Sequence, residues 1–156
     1  MTTTFCLNGE RFQFFGDPMT PLVDVLRYHK YLTGSKAVCR EGFCGACIVH
    51  IGGVAANSCL KPVGLLEGRD VWTIEGASAL DPHVQRLQAA FEEMDVVQCG
   101  MCFPGMVMSM SRLLAEGKVM DRAAVKAAMT GNICRCTGYE RIVDAIMSRL
   151  GAPADE

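Results

Sequence analysis

Nine cysteines in a chain of 156 residues constrain this protein more than any other feature. They are Cys6, Cys39, Cys44, Cys47, Cys59, Cys99, Cys102, Cys134 and Cys136. Eight of them fall into two groups of four, and Cys6 stands apart. A disulfide framework would suit a secreted protein, but the number is odd. The start Met1-Thr-Thr-Thr-Phe-Cys-Leu-Asn also lacks the basic residues and apolar run of a secretory signal. The expectation is therefore a reducing, cytoplasmic setting, where closely spaced cysteines more often bind metal than each other.

Other features narrow the class. Half the residues are hydrophobic, enough to bury a core. Lys and Arg number 15 against 17 Asp and Glu, for a net charge of −2 without a basic block, so charge gives no reason to invoke nucleic acid. No apolar run approaches the roughly 20 residues that span a bilayer.

Along the chain the pattern changes once. Strand-like runs at 2–7 and 11–15 flank Asn8-Gly9, a hairpin signal. Thr20-Pro21 predicts a helix with Thr as N-cap, carrying Leu22, Val25, Leu26 and Leu32 and ending at Gly34. Runs at 47–51 and 54–56 around Gly52-Gly53 predict a second hairpin, and 71–75 a last strand. From about residue 77 the periodicity is helical. Asp81-Pro82, Pro104, Asp121 and Tyr139 mark the starts of four amphipathic helices. The fold class is α+β, a small ferredoxin-type sheet domain over 1–76 followed by an antiparallel four-helix bundle over 77–156.

The first cysteine group, Cys39-Arg-Glu-Gly-Phe-Cys44-Gly-Ala-Cys47 with Cys59 after eleven intervening residues, has the C-x4-C-x2-C…C spacing of plant-type [2Fe–2S] ferredoxins. Two bridged irons need four thiolates, three from a loop that wraps the cluster and a fourth from another segment. Gly42 and Gly45 let that backbone approach closely and present amides to sulfur. Structural zinc sites instead pair C-x2-C knuckles or mix cysteine with histidine. His29, His50 and His83 form no spaced pair with cysteines, which leaves a Rieske centre without its ligands.

In the second group Cys99-Gly-Met-Cys102 is followed, after 31 intervening residues, by Cys134-Arg-Cys136. Both pairs lie just before predicted helices, whose free amides and positive ends suit an anionic cluster. Spacing alone leaves zinc and a [4Fe–4S] cluster open here.

Three strings carry a resemblance: Cys39-Arg-Glu-Gly-Phe-Cys-Gly-Ala-Cys, Gln98-Cys-Gly-Met-Cys-Phe-Pro-Gly and Gly131-Asn-Ile-Cys-Arg-Cys-Thr-Gly-Tyr. Over nearly its whole length the chain resembles the small iron–sulfur subunit of xanthine oxidase-type molybdenum hydroxylases. That family includes aldehyde oxidoreductases, carbon monoxide dehydrogenase and N-heterocycle hydroxylases. The resemblance implies a plant-type ferredoxin (β-grasp) domain and a helical domain, each with one [2Fe–2S] cluster. Cys39, Cys44, Cys47 and Cys59 would hold the first, and Cys99, Cys102, Cys134 and Cys136 the second.

It also implies a large partner subunit with molybdenum on a pterin, commonly a dinucleotide, and a medium FAD-binding subunit, in a dimer of heterotrimers. The helical-domain cluster would lie nearest the pterin, with Gln98 and Cys136 in contact with it, and the other would pass electrons onward. Met101 and Phe103 depart from the family's usual aromatic residue and threonine. No residue of this chain is expected to act as base or nucleophile, because substrate chemistry belongs to the partner. Cys6 reads as a small buried hydrophobe, and Met106, Met108 and Met110 as packing residues that cannot all share one helix face.

Overall fold

The computed structural model describes residues 2–118 and 120–150. Strands β1 (Thr2–Leu7) and β2 (Glu10–Phe15) pair antiparallel across Asn8-Gly9, whose φ angles of 52° and 86° are the positive pair a tight hairpin turn demands. Strands β3 (Ile48–Ile51) and β4 (Val54–Asn57) repeat this across Gly52-Gly53. Strand β5 (Asp70–Trp72) enters between the hairpins, parallel to β1 and antiparallel to β3, giving the order β2-β1-β5-β3-β4. Phe5, Leu7, Phe14, Val49 and Val71 from the strands pack with Leu22, Val25, Leu26, Val63 and Leu66 in one apolar core.

Two sheet-half expectations are corrected. The predicted helix from Thr20 to Gly34 is only α1 (Leu22–Asp24), widening into a π-helical turn at Val25–His29. Thr20 does not cap it: its carbonyl accepts from Val63 N–H at 2.9 Å while Leu22 N–H donates to the Lys61 carbonyl at 2.8 Å. The chain then turns away at Tyr31, φ 55°, and Arg27 holds the departing loop through the carbonyls of Thr33 and Ser35. The last strand also stops early. The Asn8 carboxamide clamps Thr73, accepting from its N–H at 2.8 Å and donating to its hydroxyl at 3.0 Å, and helix α2 (Ile74–Leu80) begins. Residues 76 and 77 therefore lie inside a helix.

The remaining helices are α3 (Pro82–Glu93), α4 (Phe103–Ala115), α5 (Arg122–Ala128) and α6 (Glu140–Met147). The Asp81 carboxylate accepts from His83 and Val84 amides, and that of Asp121 from the Ala124 amide, so both predicted caps form. Helix α2 is an addition to the four expected. Met106, Met108 and Met110 are all buried despite alternating, because α2 and α3 lie against α4 on one side and β3 and β4 on another. A helix apolar all round is a buried helix.

The sheet and the helices share this junction. His50 of β3 is buried with its Nε2 2.7 Å from the Met108 carbonyl. Below it, a Cβ added at Gly105 would stand 2.0 Å from the Gly45 carbonyl oxygen. One added at Gly45, φ 72°, would stand 2.3 Å from that of Gly131. Only hydrogen in place of a side chain at Gly45 and Gly105 lets these backbones meet.

Candidate metal centres

Cys39, Cys44 and Cys47 lie on the loop from α1 to β3, and Cys59 on a 3-10 turn, Ser58–Leu60, after β4. The β3–β4 hairpin folds that turn back so that Cys59 reaches the loop. Cys44, Cys47 and Cys59 are buried, Cys39 half-buried. Cys39 lies beside Cys44 and Cys59 beside Cys47, each near enough to shift its neighbour's thiol. Arg40, between Cys39 and Cys44 in sequence, is held by both oxygens of Asp24 at 2.9 and 2.7 Å. Asn57 closes the other side by donating to the Gly42 carbonyl at 2.8 Å.

Backbone amides surround these sulfurs. Burial pushes the Cys39 thiol up, yet the amides of Glu41, Cys44 and Phe43, with the Cys44 thiol, bring it down to about 6. Desolvation and then the neighbouring Cys47 push Cys59 up to about 12 against the Gly42 amide. Desolvation also raises Cys44, opposed by the Ala46 amide. Cys39 thus sits in an anion-friendly nest of amides, while Cys44 and Cys59 hold their protons more tightly than free thiols.

The second quartet is built from two helix approaches. Cys102 is the residue from which α4 starts, and Cys134 and Cys136 lie in the loop before α6. All four line one small cavity with Val96, Phe103, Thr137 and Ile142. They also pair: Cys136 and Cys99 stand 3.4 Å apart, and Cys102 neighbours Cys134. Desolvation followed by Cys134 pushes Cys102 up to about 12. Burial likewise pushes Cys134 up, but the Thr137 hydroxyl and the amides of Thr137 and Cys136 hold it below the usual thiol value. Cys99 and Cys136 are exposed, as is Gln98 at the rim of the same cavity.

Thiols grouped by twos fit two bridged irons, each taking two sulfurs, and the amide nests fit an anionic cluster. Both loops therefore suit the [2Fe–2S] group that the first spacing implied. Cys6 joins neither quartet. It is half-buried on β1 beside Asp70, whose side chain raises its thiol, so it is less enclosed than the expected core residue.

Several contributing residues were not singled out from sequence. Asp24 lies fifteen residues before Cys39, and Asn57, two before Cys59, sits in no recognisable string. Thr137 and Tyr139 do carry a local signal: they follow Cys136 directly in Cys-Thr-Gly-Tyr. The Tyr139 hydroxyl accepts from the Cys134 amide at 2.8 Å. The two loops touch where Ile133 N–H donates to the Cys44 carbonyl at 2.9 Å.

The donor sets and loops are those of an iron–sulfur protein. Residues 73–147 match the [2Fe-2S] binding domain family. Isoquinoline 1-oxidoreductase subunit alpha of Brevundimonas diminuta is 43% identical over 144 residues, 91% of this chain and 93% of that one. The xanthine dehydrogenase iron-sulfur-binding subunit of Escherichia coli O157:H7 is 36% identical over 149 residues, 94% and 92% of the two chains. The structure of quinoline 2-oxidoreductase from Pseudomonas putida 86 superposes with a TM-score of 0.87 at 39% identity, covering 94% of this chain and 90% of that one. The chain belongs to the small iron–sulfur subunits of the xanthine dehydrogenase-type molybdenum hydroxylases. Its fold is α+β, and no helix among the described residues is long and apolar enough to cross a membrane.

Proposed function

We propose that this chain is the electron-transfer subunit of a cytoplasmic molybdenum hydroxylase, holding two [2Fe–2S] clusters in series. Cys39, Cys44, Cys47 and Cys59 hold the first, and Cys99, Cys102, Cys134 and Cys136 the second. The observation that carries this reading is that Cys99, Cys102, Cys134 and Cys136 line one small cavity whose 133–136 loop hydrogen-bonds to the loop carrying Cys39, Cys44 and Cys47. When bound, each cluster takes up and releases one electron at a time, so a pair of electrons leaving a molybdenum–pterin centre is divided into single steps.

The chain's own residues position and insulate these groups. The Ile133 amide and Cys44 carbonyl join a ligand of one cluster to the residue preceding a ligand of the other through one hydrogen bond. That contact supports a relay between the loops. Exposure of Gln98, Cys99 and Cys136 supports a pterin contact by Gln98 and Cys136, in a large partner subunit docked over the second quartet. Val97, Met101 and Ile133 are exposed apolar residues adjoining that quartet. Val38, Phe43 and Leu60 are their counterparts at the first, where a medium FAD-binding subunit or another acceptor would receive electrons. In this reading residues 1–76 are the plant-type ferredoxin unit and 77–156 the helical one, within a dimer of heterotrimers.

The test is iron and acid-labile sulfide analysis of the purified assembly. About four of each per chain, with a molybdenum-bearing subunit co-purifying, is the expected result. A zinc-loaded, colourless chain would refute the reading.

A further inference from the structure

The loop after Cys134 closes on itself through three hydrogen bonds. The Thr137 Oγ1 lies 3.1 Å from Cys134 Sγ and accepts from the Tyr139 amide at 3.2 Å. Tyr139, at φ 70°, returns its own hydroxyl to the Cys134 amide at 2.8 Å. A hydroxyl has one proton and two lone pairs. The Tyr139 amide takes one lone pair of the Thr137 hydroxyl, whose proton is free to reach the sulfur. A cysteine sulfur bound to iron has no proton to give, so in the loaded protein the bond runs only from Thr137 to Cys134.

We propose that Thr137 is a positioning residue that sets the reduction potential of the second cluster by donating its hydroxyl proton to the Cys134 sulfur. The proposal rests on the reading of Cys134 as an iron ligand. Reduction adds one electron to the cluster and increases the negative charge on its sulfurs. A donor aimed at one of them stabilises the reduced form more than the oxidised one, and the potential rises. Among the described residues no hydroxyl contacts a sulfur of the first quartet, so the effect is confined to the second cluster. The same hydroxyl opposes the upward push of burial on the Cys134 thiol.

The experiment is a redox titration of the assembled complex followed by electron paramagnetic resonance, with Thr137→Val and Thr137→Ser compared to wild type. The signal of the second cluster is identified by its loss in Cys99→Ser. Valine keeps the branched shape and removes the donor. The expected result is about a tenfold shift in the oxidised-to-reduced ratio toward oxidised, or about 59 mV downward for a one-electron couple. The first cluster keeps its potential, and serine restores the second. An unchanged midpoint in Thr137→Val, an equal shift in both clusters, failure of serine to restore it, or loss of iron from the valine variant alone would overturn the tuning role. Absence of a second signal in wild type would instead remove the ligand assignment beneath it.

Discussion

Replacing Gly105 by alanine puts one methyl group where helix α4 crosses the loop of the first cysteine quartet. Its Cβ would meet the Gly45 carbonyl oxygen at 2.0 Å, with Gly45 C at 3.0 Å and Ala46 C at 3.1 Å. These are backbone atoms, so no side chain can rotate away, and α4 and the loop must separate by more than an ångström. Overpacking of this kind costs about 1–3 kcal/mol. The Ile133–Cys44 hydrogen bond beside it would weaken, at about 0.5–1.5 kcal/mol. Alanine's better helix propensity returns about 1 kcal/mol. The net is a loss of roughly 2 kcal/mol, or about 4–8 °C in melting temperature for a chain of this size. Gly131→Ala is the comparison, because nothing lies within 4 Å of a Cβ there and its φ is not positive. Thermal unfolding of the loaded protein, followed by loss of visible absorbance and by circular dichroism, reads both variants. Melting of Gly105→Ala at or above wild type would refute the close-contact account of the junction.

Three further outcomes follow from named contacts. Burial holds His50 below its ordinary value, with Arg112 also lowering it while the Met108 carbonyl and Asp81 raise it. Its folded pKa is depressed, so unfolded chains bind the extra proton. The urea midpoint should fall as pH drops below about 6.5, and less steeply in His50→Gln. Met108→Ala empties a fully buried position in α4 and should cost about 2–5 kcal/mol by denaturant titration. Cys6→Ser should leave iron content at the wild-type value by colorimetric assay, whereas Cys47→Ser should remove the first cluster's share.

Local chemistry was legible in the sequence wherever a few adjacent residues decide a conformation. Asn8-Gly9 and Gly52-Gly53 fixed both hairpins, and Asp81 and Asp121 capped their helices as their positions imply. The cysteine strings were legible as short runs, and the structure brings Cys99, Cys102, Cys134 and Cys136 to one cavity across a gap that spacing does not bridge. What sequence missed depends on partners distant along the chain. Thr20 failed as a cap because the helix starts one residue later, at Leu22, whose amide goes to the Lys61 carbonyl, and the last strand ended early because Asn8 seizes Thr73. The burial of Met106, Met108 and Met110 needs both the sheet and α3 in place. Gly45, Gly105 and Gly131 lie up to 86 residues apart, and nothing local announces that their backbones touch.

Low-temperature electron paramagnetic resonance of the dithionite-reduced complex distinguishes two separate binuclear clusters on eight cysteines from any other arrangement. Two distinct [2Fe–2S] signals, together integrating to about two spins per chain, are expected, one lost in Cys47→Ser and the other in Cys99→Ser. A single signal untouched by Cys99→Ser, or loss of both signals together in either variant, would contradict that arrangement.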